Sequence, residues 1–395
     1  MTKLLFIFGV SIALIFTSCS SEKTNENISD SDIEFKFEIV DSLTVDYLGM
    51  PFLCDFSPSK ERVLLFNSRN TEFIITDSEG EIISQFTKEG DIPDNPGILA
   101  DKPIFYDNQT VIARGLKGVF AYDFTGENIW KISTEENPDL WLGRLSERSM
   151  YLLSPSKYFT IINYDDLAVN PSNDSLYENH QILKIMNKES RKSKPVISLE
   201  TFGRFLDGKG YPAISMLPTI HKRENKLLVS YKRDKLIYLY EWENLSFHLK
   251  DTFSLTVSPF YLDEPKERES FKDNSSFIIL EKIHQGKIKG AWLLDNDLIL
   301  VQYNIGIKES ERLKPKIEKT GMNELTNTNQ NEMPPDQFQL FRNGKKYGEP
   351  LEARLAFSHV EYVKDNAIWF KKDNEALNIE DDYAVFYKAK LVEKR

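Results

Sequence analysis

Thr71-Glu-Phe-Ile-Ile-Thr-Asp-Ser-Glu-Gly-Glu-Ile-Ile-Ser-Gln-Phe86 decides the fold of this chain. Two runs rich in β-branched and aromatic residues flank Asp77-Ser-Glu-Gly80, and a glycine where the chain must turn with φ > 0 makes the whole a hairpin. Forty-six residues on, Gly118-Val-Phe-Ala-Tyr-Asp-Phe-Thr-Gly-Glu-Asn-Ile-Trp-Lys-Ile132 repeats it, with Asp123 under Asp77, Gly126 under Gly80 and Glu127 under Glu81. A strand precedes each hairpin, Val63–Ser68 in one copy and Thr110–Ala113 in the other. Before that comes a short apolar segment, Phe52–Phe56 or Ile104–Tyr106. Four strands per unit at a period of about 40 to 50 residues is the signature of a β-propeller.

Later units diverge but keep the order. The third runs from Trp141 through Met150–Leu153 and Tyr158–Tyr164, with its outer hairpin delayed to Gln181–Met186 and Pro195–Leu199. The fourth is Ala213–Pro218, Lys226–Tyr231, Leu236–Trp242 and Phe247–Leu255. The fifth is Lys289–Leu294, Asp297–Tyr303, Phe338–Phe341 and Lys346–Leu351. The sixth has Ser358–Val363, Ala367–Lys371 and Tyr383–Tyr387 but no fourth strand, so Glu34–Val40 is expected to supply it and close the ring without an open edge. The expected fold is therefore all-β, a six-bladed propeller of four-stranded antiparallel blades over residues 33–395. A seven-bladed ring or a pair of sandwiches are the alternatives. Six units average about 60 residues each, more than a blade needs, so long loop insertions are expected at 165–179, 259–276 and 308–337. The last, with Asn-rich Asn323–Asn331 before Pro334-Pro335, is low in apolar residues.

The N-terminus carries an address. Lys3 is followed by a nearly unbroken apolar run over residues 4–16, the length of a secretory signal core and too short to span a bilayer. Small Thr17 and Ser18 lead into Cys19, a pattern that resembles the lipobox of bacterial lipoproteins, whose cysteine thiol receives a diacylglyceryl group before cleavage. Residues 1–18 read as signal peptide, Cys19 as the lipidation site, and residues 19–32, rich in Ser, Asn, Glu and Asp, as a disordered acidic tether.

The lipobox, the acidic tether, the Ile-Thr-Asp-Ser-Glu-Gly-Glu-Ile hairpin and Thr87-Lys-Glu-Gly-Asp-Ile-Pro-Asp-Asn-Pro-Gly97 resemble the six-bladed propeller lipoproteins of Bacteroidetes, in particular the uncharacterised DUF4221 group. That resemblance, sharpest over residues 60–135, implies the propeller architecture and a cell-envelope location. It implies no activity and no catalytic residues.

The formal net charge of −11 argues against nucleic acid as a partner, since phosphate backbones need a basic footprint. Cys54, among Phe52, Leu53 and Phe56, reads as a buried structural thiol. His180, His221, His248, His284 and His359 are far apart and show no close ligand spacing, although a propeller can bring remote residues to its axis. The acidic pairs Asp165/Asp166 and Asp295/Asp297 and the run Glu380/Asp381/Asp382 sit at turns, where Asp favours turn geometry. Lys184, Lys188, Arg191, Lys192 and Lys194 surround a hairpin tip. Trp130, Trp141, Trp242, Trp292 and Trp369 lie near strands, where packing between blades is favoured over stacking on sugars. No catalytic residue, cofactor or metal site is expected. The functional expectation is a lipid-anchored cell-envelope module that binds a glycan, a peptide or an envelope protein. The rivals are a polysaccharide hydrolase or lyase on the same scaffold and a structural part of an outer-membrane complex.

Overall fold

The computed structural model describes residues 33–133, 148–153, 157–163, 170–200, 203–262, 264–272, 284–312, 334–352, 357–379 and 382–394. The signal peptide, Cys19 and the tether lie outside them, as do Trp141, Asp165, Asp166, Glu380 and Asp381. Six four-stranded antiparallel sheets form a propeller ring. Blade 1 is β2 (Phe52–Phe56), β3 (Arg62–Asn67), β4 (Glu72–Asp77) and β5 (Ile82–Thr87). Blade 2 is β6 (Ile104–Phe105), β7 (Val111–Gly115), β8 (Gly118–Tyr122) and β9 (Asn128–Ser133). Blade 3 is β10 (Leu152–Leu153), β11 (Tyr158–Ile162), β12 (Gln181–Asn187) and β13 (Lys192–Ser198). Blade 4 is β14 (Pro218–Arg223), β15 (Lys226–Tyr231), β16 (Leu236–Glu243) and β17 (Ser246–Ser254). Blade 5 is β18 (Gln285–Leu293), β19 (Leu298–Gly306), β20 (Gln337–Arg342) and β21 (Lys345–Glu352). Blade 6 is β22 (Phe357–Lys364), β23 (Ala367–Lys372), β24 (Ala384–Glu393) and, outermost, β1 (Phe35–Val45).

Hydrophobic burial follows this plan. The second and third strands of a blade are covered on both sides, so Val63-Leu-Leu-Phe66 is continuously buried, whereas the outer β5 alternates between half-buried and exposed. Among the described residues the buried side chains form six clusters, each between two successive blades. Cys54, Phe66 and Phe73 of blade 1 meet Phe105, Phe120 and Tyr122 of blade 2, and Leu43, Trp369 and Phe386 of blade 6 meet Leu53, Leu65 and Ile74 of blade 1. The core is thus a ring of interfaces around the axis, and it closes on itself.

The two hairpins that revealed the fold have one geometry. Asp77 Oδ1 accepts hydrogen bonds from Glu79 N (3.0 Å) and Glu81 N (2.9 Å); Asp123 Oδ1 accepts from Thr125 N and Glu127 N (2.9 Å each). Gly80 (φ +96°) and Gly126 (φ +84°) adopt the left-handed region in which a side chain is strained. A Cβ on Gly126 would strike the Phe86 ring on the outer strand of the preceding blade, and one on Gly80 would strike the Thr44 carbonyl of β1. β1 therefore occupies, next to blade 1, the place that β5 occupies next to blade 2. Phe35 pairs with Glu393 and Val45 with Ala384 along this closure, across a bulge between Ile39 and Asp41.

One expected strand is corrected. Ala213–Met216 forms a 3-10 turn, and the first strand of blade 4 is Pro218–Arg223. Pro212 and Pro218 bracket the apolar run, and proline is tolerated as the first residue of a strand but not within one.

Alternation of strand direction sorts the connections onto two faces. One face, the turn face, carries the tight turns from first to second and from third to fourth strands. Ile33 and Lys394 lie there too, with Lys394 Nζ 2.8 Å from Glu34 Oε2. The opposite, loop face carries the β11–β12, β17–β18 and β19–β20 connections, where the three insertions were expected. Their described parts pack together: Arg268, from the β17–β18 connection, pairs with Asp174 and lies 4.1 Å over the Tyr177 ring of α1 (Asp174–Glu178). Among the described residues no helix is long and apolar enough to cross a membrane.

Candidate functional site

Two side chains at the axis tie the blades together. Asp55 of β2 is buried and accepts five hydrogen bonds. Oδ1 receives Arg148 Nη1 (2.6 Å), Tyr362 Oη (2.8 Å) and Phe56 N (2.9 Å), and Oδ2 receives Arg148 Nη2 (3.1 Å) and Phe105 N (3.0 Å). One carboxylate from blade 1 thus reaches blade 2, the segment entering blade 3, and blade 6. The Arg148 guanidinium lies over the Tyr151 and Tyr362 rings, 4.8 and 5.3 Å from their centroids. Burial disfavours its charge, but the Asp55 carboxylate outweighs that and holds Arg148 protonated.

His221 of β14 ties the other half. Its Nδ1 accepts from Leu293 N of blade 5 (3.0 Å), which puts the ring proton on Nε2, and Nε2 lies 3.4 Å from Val363 O of blade 6. Tyr151 Oη donates to Ile220 O (3.2 Å) and joins blade 3 to blade 4. Beside this hub, Lys102 Nζ is fully enclosed and bonds Glu361 Oε2 (2.7 Å), Glu361 O (3.0 Å) and Leu53 O (3.0 Å). Arg114 pairs with Asp101 at 3.0 Å, and Ser149 donates to the same carboxylate.

Burial, reinforced by the cations Arg148, Arg223 and Lys222, pushes the His221 imidazole down to about 4. The unfolded chain then binds the extra proton between pH 6.5 and 4. The stabilisation from neutral His221 is full above pH 6.5 and falls as the pH drops through that window, by about 3 kcal/mol at pH 4. Urea unfolding of the native protein at pH 7 and pH 4 should therefore show a loss larger, by roughly that amount, than the same measurement on His221→Asn. Equal losses would remove His221 from the hub's pH response.

Over the hub, on the turn face, lies a cavity of about 400 Å³, within the range of small-ligand sites. It is lined by the C-terminal ends of β2, β14, β18 and β22 and the turns after them, including His221, Lys222, Lys289, Trp292, Tyr362 and Lys364. Interblade contacts rim its mouth: Lys60–Asp365 (2.6 Å), Arg223–Asp295 and Lys226–Asp297 (2.5 Å), with Asn366 Oδ1 accepting from Asp295 N (2.6 Å).

The fold is shared with a member of the DUF4221 family from Bacteroides vulgatus, with a TM-score of 0.62 over 92% of this chain and 100% of that one, at 11% identity. The chain has the fold of a DUF4221 protein. A Bacteroides fragilis protein inferred to be exported aligns over 93% of this chain and 97% of its own, with a TM-score of 0.51 and 13% identity. No family model and no curated protein matches the chain.

On this DUF4221-like ring the expected residues scatter. Of the five histidines, His221 and His359 line the axial cavity; His180 is buried before β12, His284 precedes β18 and His248 is exposed on β17. Among the described residues no group of three or more His, Cys, Asp or Glu side chains converges as a metal site would require. Cys54 is buried between blades 1 and 2, and burial raises its thiol well above the reactive range. Asp295 and Asp297 form a turn, as expected, but one that clamps blade 4. Lys188, at the tip of the basic hairpin, lies over the Tyr106 and Trp130 rings, 4.3 and 5.2 Å from their centroids. Trp242 and Trp369 pack in the core, whereas Trp292 borders the cavity. Sequence reasoning missed Asp55, Arg148, Lys222 and Lys364. A charged residue inside Phe52–Phe56, and a His-Lys-Arg run where an inner strand should be apolar, were the available signals.

Proposed function

We propose that the protein is an exported, lipid-anchored binding module of the bacterial outer membrane that recognises a glycan, a peptide or an envelope protein and carries out no chemistry of its own. Residues 1–18 direct export, Cys19 carries the lipid, and residues 19–32 are the tether. The observation that carries binding over catalysis is the saturation of the axis. Asp55 and His221, the acid and base that convergence on the axis would offer, are both occupied by hydrogen bonds that hold blades together. A tether of fourteen residues keeps the turn face within roughly 50 Å of the lipid. The loop face, with its insertions, then points away from the membrane. It also bears exposed apolar side chains over blades 6, 1 and 2: Leu48 (81% exposed), Met50, Ile92, Ile98, Leu377 and Ile379. The name of the Bacteroides fragilis relative agrees with export.

Affinity capture of the lipidated protein from its own envelope, with co-purifying proteins and glycans identified, tests this reading. A partner retained by the native chain should be lost from Leu48→Asp/Met50→Asp, and Cys19→Ser should move the protein from the membrane to the soluble fraction. Turnover of an envelope polysaccharide by the purified protein, with no partner recovered, would overturn it.

A further inference from the structure

The axial cavity carries positive charge that the fold does not use. Its carboxylates Asp55, Glu361 and Asp365 are paired with Arg148, Lys102 and Lys60, and Glu224 stands exposed on its turn. Two of its cations are also paired, Arg223 with Asp295 and Lys289 with Asp336. Lys222 and Lys364 remain. Both are half-buried, on adjacent sides of the contact between His221 and Val363, and among the described residues neither ammonium meets a carboxylate within ion-pair distance. Burial lowers the pKa of both; Arg148 lowers that of Lys222 further, while at Lys364 the nearby Asp55 and Asp365 carboxylates offset part of the lowering. A chain with a formal charge of −11 thus keeps two partly desolvated ammonium groups over a ligand-sized space, beside the Arg148 guanidinium whose charge Asp55 already balances. Such an arrangement is unfavourable when empty and is relieved by an anion.

We propose that this cavity binds a small ligand through an oxyanion, a carboxylate or a phosphate ester, held between Lys222 and Lys364 with Arg148 beside them. The Trp292 side chain borders the same space and offers an apolar surface to the rest of the ligand. This site lies on the turn face and is independent of the recognition surface proposed for the loop face.

Calorimetric titration of the full mature protein in non-ionic detergent tests it, with glucuronate, glycerol 1-phosphate and neutral glucose as probes. At least one anion should bind at one site, more weakly as salt rises, while glucose should not. Glucuronate alone would identify an acidic sugar as the source, and glycerol 1-phosphate alone a phosphate ester such as a lipid headgroup. Lys222→Gln/Lys364→Gln should weaken binding by at least about tenfold, the arginine pair at the same positions should retain it, and Lys250→Gln on the outer strand should leave it unchanged. Retention by the arginine pair separates lost charge from lost packing. Binding of neither anion, equal binding of glucose, or unchanged affinity in the glutamine pair would overturn the proposal.

Discussion

An Asp55→Ala variant is expected to unfold with about 3–5 kcal/mol less free energy than the native chain, the range found when one partner of a buried ion pair is removed. The loss comes from what is left behind. Arg148 keeps its charge, with only 17% of its side chain exposed, between two aromatic rings, while Tyr362 Oη and the Phe105 N–H lose their acceptor. Four parts of the ring meet at this carboxylate, so the effect should appear as a lower midpoint of one cooperative urea transition. Lys60→Ala, which breaks the exposed Lys60–Asp365 pair between the same blades 1 and 6, should cost at most about 1 kcal/mol. If the two variants unfold alike, Asp55 is an ordinary interior residue and not a hub.

Removing β1 should do more than weaken the protein. A mature chain beginning after Val45 loses Phe37, Leu43 and Val45 from the interfaces of blade 6, and burying each such side chain contributes about 1.5–3 kcal/mol. Phe37 alone packs edge-on against Phe338 (4.9 Å between centroids) and Phe370 (5.2 Å), and so couples blade 5 to blade 6. The deletion also leaves β24 as a long unpaired edge, which recruits other chains. The expected result on size-exclusion chromatography is larger oligomer and aggregate in place of the native species, with the native elution restored by a synthetic peptide covering residues 33–47. A monodisperse truncated protein with an unchanged melting temperature would show that closure does not depend on β1.

The fold was legible because its repeat survives in turn chemistry. Asp77 and Asp123 cap their hairpins with the same pair of backbone hydrogen bonds, and Gly80 and Gly126 are fixed by backbone conformation and by close approach of the preceding blade. These demands are local, so they show in one sequence. The closing strand was legible for a topological reason: blade 6 was one strand short. The axis was not legible. Asp55 interrupts an apolar segment that otherwise reads as core, and its partners Arg148 and Tyr362 lie 93 and 307 residues away. Blade 4 shows the same conflict most clearly. The apolar Ala213–Pro218 reads as strand, while the true inner strand ends in His221, Lys222 and Arg223 because those side chains face the hub and the cavity. Where function and blade-to-blade ties require polar groups, hydrophobic periodicity fails, and the failure itself marks the site.

The bond between Lys394 and Glu34 joins residues 360 positions apart and sets the order in which the molecule can be finished. β1 is the first strand to leave any machine that handles the chain from its N-terminus, yet its partner β24 is the last. No leading portion of the chain contains a complete ring, and β1 must wait, unpaired, until all the other blades have been made. Loop closure on that scale is slow and comes late. An unfinished ring stays open until its last strand emerges, so the chain remains flexible through nearly the whole of its length and becomes rigid in one final step.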